Sequence, residues 1–78
     1  MENKKITELR AGLTKITMLP LEDHDNFYDL GIDSFSLVEI INYLETFTQK
    51  NHLKINFDAL ITEDTLSIEM IIKHLSLT

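Results

Sequence analysis

The sequence predicts an all-α fold: a small four-helix bundle with a long loop between helices one and two and a short third helix. Three observations carry that expectation. Apolar residues recur at three- and four-residue spacing in three separate stretches. No stretch keeps up the period-two alternation of a half-buried strand. Turn-forming residues and the single proline fall between the periodic stretches, where connections belong.

Residues 3–17 read as the first helix, with Ile6, Leu9, Leu13 and Ile16 on one stripe. Gly12 inside it costs about 1 kcal/mol against alanine, which fits a place where another helix comes close. Met18-Leu19-Pro20 ends the helix, because the residue before a proline is pushed out of the α region. Residues 18–33 then form the long connection. Leu21, Phe27, Leu30 and Ile32 are its expected anchors on the core, and Asp23, Asp25, Asn26 and Asp29 its turn formers.

The second helix is expected over residues 34–49, with Leu37, Ile40, Ile41 and Leu44 as the core face and Phe47 at its border. Ser36 and Glu39 fit a capping box, which sets the helix start within a residue or two of Ser34. Residues 50–56 are a polar connection. Residues 57–61 are short and apolar, and periodicity cannot decide between one helical turn and a buried loop segment over so short a run. Residues 62–65 form a turn. Ser67 caps a last helix with Ile68, Ile71, Ile72 and Leu75 on its stripe, and Lys73 and His74 near its end suit the dipole. The 78 residues are expected to make one domain, residues 1–78, with a modest core.

Charge is unevenly placed. Between Ile16 and Gln49 stand Glu22, Asp23, Asp25, Asp29, Asp33, Glu39 and Glu45, and no lysine or arginine. An acidic half argues against nucleic acid as a partner, since phosphates need cationic contacts. It suits a partner with a basic patch, or serves only as a solvated face. The N-terminus lacks a secretory apolar run, and no stretch approaches the ~20 apolar residues of a membrane span, so a cytoplasmic, soluble protein is expected.

Several chemistries fail on residue types and spacing. The chain has no cysteine, hence no disulfide, thiolate metal site or cysteine nucleophile. An EF-hand reading begun at Asp23 meets Phe27 and Tyr28 where a ligand and a glycine are required, and Ser34 where a glutamate is required. His24, His52 and His74 have no metal-ligand spacing, so no metal site is expected. Gly12 and Gly31 are the only glycines, too few for a phosphate loop, and the nucleophile-elbow pattern is missing. A bundle this small has little room for a substrate cavity with preorganised groups, so the expected role is not that of an enzyme.

What stands out is the run Asp29-Leu30-Gly31-Ile32-Asp33-Ser34-Phe35-Ser36, a polar loop ending in a glycine turn with a serine at the start of the second helix. A helix start leaves N–H groups unpartnered and carries partial positive charge, so a phosphate on a hydroxyl there meets favourable donors. The plainer reading is that Ser34 is an N-cap. At about 100° per residue, Phe35, Val38 and Asn42 lie opposite the core face, flanked by Glu39 and Glu45. That gives an apolar centre with a charged rim, as docking surfaces have; alternatively Phe35 packs under the preceding loop.

The stretch DLGIDSFSLVE, Asp29 to Glu39, resembles the signature of acyl and peptidyl carrier proteins through Leu30, Gly31, Asp33, Ser34, Phe35, Val38 and Glu39. Phe27 matches the aromatic residue that precedes the motif, and the order of elements is similar along the whole chain. The resemblance implies a bundle of the acyl-carrier type. It implies 4′-phosphopantetheine, donated from coenzyme A by a phosphopantetheinyl transferase, on Ser34 beside Asp33. The arm would hold acyl or aminoacyl groups as thioesters, its sulfur standing in for the missing cysteine. Phe35, Val38, Glu39, Asn42 and Glu45, with Asp33, would form the recognition face. The implied partners are an adenylation enzyme or other activating ligase, a ketosynthase, and condensation or acyltransferase enzymes, with the carrier as a monomer. Asn42 and Thr46 depart from the pattern of fatty-acid carriers, Lys50 and Lys54 make the next region more basic, and residues 57–61 look more like peptidyl and aryl carriers. These departures lean towards a free-standing carrier of a specialised pathway (lipopeptide, polyketide or siderophore assembly). The alternative is an unmodified, carrier-like interaction subunit, and the intact Asp33-Ser34 pair favours the modified carrier.

Overall fold

The computed structural model describes residues 3–77. Four helices follow one another: α1 (Lys4–Thr17), α2 (Ser34–Lys50), α3 (Phe57–Ile61) and α4 (Ile68–His74). No strand occurs among the described residues. The short apolar run is a helical turn, capped by Asn56, whose side chain accepts the Ala59 N–H. Ser67 caps α4 in the same manner through the Met70 N–H.

One core gathers all four helices. Ile6, Leu9 and Leu13 enter it from α1, Ile40, Leu44 and Phe47 from α2, Leu60 from α3, and Ile68, Ile71 and Ile72 from α4. Phe27 of the long loop is fully buried with them. The centre of the α2 face is displaced from the expected one. Phe47 and Thr48 are buried rather than marginal, and Ile41 is only half-buried.

Gly12 has the close neighbour its cost called for. A Cβ there would lie 2.2 Å from Cζ of Tyr43, so the ring of α2 occupies the space a side chain on α1 would need. The Tyr43 hydroxyl donates to the Glu8 carbonyl at 3.1 Å, and Lys50 reaches Glu8 Oε1 at 2.7 Å. Burial raises the Tyr43 hydroxyl pKa, with a smaller push from the Glu8 charge.

Two helix ends differ from expectation. α1 stops in a left-handed residue, Met18 at φ 57°, whose N–H returns to the Thr14 carbonyl, one residue before the position that proline constrains. α2 is capped by Asp33, not by a Ser36–Glu39 box: the Asp33 carboxylate accepts the Ser36 N–H at 2.8 Å.

Candidate functional site

The long loop is tied down by its own polar groups. Asp23 forms a bidentate pair with Arg10 of α1 and accepts the Glu69 N–H on its carbonyl at 2.9 Å. The Asn26 side chain accepts both the Tyr28 and Leu66 N–H groups, at 3.2 and 3.1 Å. Phe27 N–H donates to the Leu66 carbonyl at 2.7 Å.

From Phe27 the chain makes a single helical turn and leaves it through a Schellman arrangement. Ile32 N–H returns to the Phe27 carbonyl and Gly31 N–H to the Tyr28 carbonyl, both at 3.4 Å. The motif needs a left-handed residue, and Gly31 supplies it at φ +75°. Nothing lies within 4 Å of a Cβ built on Gly31, so the glycine serves the backbone angle alone. Leu30, an expected anchor, closes this turn facing outward at 41% exposed, while Leu21 and Ile32 pack against the core.

The turn delivers Asp33 and Ser34 to the mouth of α2. Asp33 takes the cap, and its carboxyl is held below the ordinary aspartate range, chiefly by the Ser36 N–H and then by the Ser36 hydroxyl. Ser34 is therefore not the cap. It is the first helical residue, exposed, and its hydroxyl has no hydrogen-bond partner among the described residues. The N–H groups of Ser34 and Phe35 also lack an acceptor there. An uncommitted hydroxyl beside free donors at the positive end of a 17-residue helix fits a phosphate ester.

Around the serine, Phe35 is 74% and Val38 55% exposed, and neither is covered by the loop. Glu39, Asn42 and Glu45 are exposed farther along α2. Among the described residues, no carboxylate in this group other than that of Asp33 has a hydrogen bond or ion pair.

Two other places hold polar groups close together. Glu22, His24 and Asp25 bring possible ligand atoms within 4.8 Å of one another on the exposed loop. An open cleft of about 480 Å³ lies between α1, the loop and α4, lined by Ile6, Arg10, Asp23, Glu69, Ile72 and Lys73. None of the residues around Ser34 borders it. In the sequence Asp23 reads as a turn former, as one of the acids of the central stretch and as the start of a failed EF-hand, and nothing there pairs it with Arg10.

The family model for "Phosphopantetheine attachment site" matches residues 4–74. The chain belongs to that family. It is thus a chain of the acyl- and peptidyl-carrier kind, whose members bear 4′-phosphopantetheine on a serine. Carrier domains of this kind interact with a phosphopantetheinyl transferase and with biosynthetic enzymes. No curated protein and no solved structure matches the chain. No helix of the described residues is long and apolar enough to cross a membrane.

Proposed function

We propose that this chain is a free-standing carrier that bears 4′-phosphopantetheine on Ser34 and delivers acyl or aminoacyl thioesters to separate enzymes. The observation that carries the reading is the division of labour at the start of α2: Asp33 takes the cap, and Ser34 keeps an exposed, unpartnered hydroxyl. Once attached, the arm supplies the thiol that the cysteine-free chain lacks. Asp33 holds the helix mouth in shape and adds negative charge beside the attachment point. Phe35 and Val38 form the apolar centre of the recognition face, and Glu39, Asn42 and Glu45 its polar rim.

The uninterrupted acidic stretch from Glu22 to Glu45 suits basic patches on a transferase, an activating ligase, a ketosynthase or a condensation enzyme. Asn42, Thr46, Lys50 and Lys54 favour a specialised pathway over bulk fatty-acid synthesis. The reading further takes the chain as a single, monomeric, cytoplasmic carrier domain.

The test is intact mass after incubation with coenzyme A and a broad-specificity phosphopantetheinyl transferase. Wild type gains one phosphopantetheine and Ser34→Ala gains none, while both keep the same melting temperature. A folded wild type that stays unmodified, with the transferase active on a control, points to the unmodified interaction subunit. Gain on both proteins moves the attachment point away from Ser34.

A further inference from the structure

The loop that delivers Ser34 takes its fixed points from outside α2. Asp23 is the residue where they meet. Its carboxylate receives Arg10 Nε at 2.6 Å and Arg10 Nη2 on the other oxygen, and its carbonyl receives the Glu69 N–H in the first turn of α4. Three and four residues on, Asn26 and Phe27 pair with Leu66 just before α4. Among the described residues no hydrogen bond joins positions 19–32 to α2. Up to Ile32, the loop therefore takes its hydrogen-bonded fixed points from α1 and the start of α4.

The Arg10–Asp23 pair suits a local task. A guanidinium fork on a carboxylate fixes orientation as well as distance, which a lysine would not. The two side chains are 32% and 42% exposed and border the open cleft, so water screens the pair and its effect on global stability is small. A loop held by a few polar contacts opens locally at far lower cost than the bundle unfolds.

We propose that Arg10 and Asp23 are positioning residues for the loading of Ser34, acting as a latch that holds the serine loop in the conformation the transferase recognises. The inference rests on Ser34 being the loaded serine. Neither residue has a hydrogen bond to Ser34 among the described residues; they act through the Phe27–Gly31 turn.

The test compares wild type, Arg10→Lys, Asp23→Asn and the swapped pair Arg10→Asp with Asp23→Arg. Arg10 has a further interaction besides Asp23, so Asp23→Asn is the cleaner single change. Two quantities are read: steady-state kinetics of phosphopantetheine transfer, and amide exchange at Leu30 and Ile32 against Ile40 and Leu44. Asp23→Asn and Arg10→Lys raise the KM for the carrier about threefold to fivefold, the range a partly exposed ion pair can supply, with kcat unchanged. Exchange at Leu30 and Ile32 quickens by a similar factor, α2 amides keep their rates, and the swapped pair returns both readouts towards wild type.

Unchanged KM in both single variants overturns the latch. So does equal quickening of the α2 amides, which would make the pair a general stabiliser, and so does a swapped pair that restores nothing. A wild type that is never loaded on Ser34 removes the role in loading, and exchange alone then decides whether the pair holds the loop.

Discussion

Over its first two turns α2 exposes Ser34, Phe35, Val38 and Glu39, and one residue outside the helix, Asp33, supplies the hydrogen bonds that cap it. Over its last two turns the same helix buries Leu44, Phe47 and Thr48, and the Thr48 carbonyl holds the next segment through the Leu53 N–H at 2.8 Å. One end is held by a cap and the other by packing. A cap depends on backbone geometry and one carboxylate, so neighbouring side chains stay free to meet partners. Packing commits nearly every side chain it uses. The contrast explains how one helix offers large apolar groups to solvent at one end and remains stable.

The strongest way to break this comparison is to truncate one phenylalanine at each end. Phe47→Ala costs about 3–5 kcal/mol in urea unfolding, the usual range for a buried aromatic. By per-residue scaling the whole domain has only about 4–12 kcal/mol, so much of the native population is lost. Phe35→Ala changes stability by less than about 0.5 kcal/mol, because its ring already lies in water. Equal losses at both positions would show that Phe35 is covered in solution.

The two glycines sharpen it further, since they serve packing and backbone separately. Gly12→Ala pushes a methyl into the Tyr43 ring and loosens the hydroxyl bond to Glu8, outweighing the gain in helix propensity for a net loss of about 1–2 kcal/mol. Gly31→Ala meets no atoms and loses about 1 kcal/mol from the left-handed angle alone, and Gly31→Asn recovers part of that. Chemical denaturation separates the cases: a Gly12→Ala that stabilises would mean the helices are not in contact there.

The smallest effect is on pH dependence. Arg10 holds the Asp23 carboxyl low mainly by hydrogen bonding, and the Ser36 N–H does the same for Asp33. Both folded pKa values lie below the unfolded ones. Each contribution is therefore complete above the ordinary aspartate pKa and is lost as pH falls through the lowered folded value. Carboxyl carbon titration by NMR should place both midpoints below the ordinary aspartate value. A midpoint for Asp23 at the ordinary value would remove the latch contact.

Much of this was legible in the sequence because it is local. The stripe Ile6, Leu9, Leu13, the cap at Ser67 and the off-core placement of Phe35 and Val38 all follow from helical arithmetic. The α2 cap was misread because Asp33 and Ser36 offer rival local bonds, and only the incoming chain direction, set by the Gly31 turn, selects between them. Leu30 looked like an anchor by hydrophobicity, yet the Schellman turn aims it outward. Arg10 and Asp23 stand 13 residues apart on different elements, a separation with no periodic signal.

The cap on Asp33 has one more consequence. Because Asp33 and not Ser34 caps the helix, a group placed on the Ser34 hydroxyl would leave the Asp33–Ser36 bond unbroken, and the helix mouth would keep its shape whether that hydroxyl is bare or substituted.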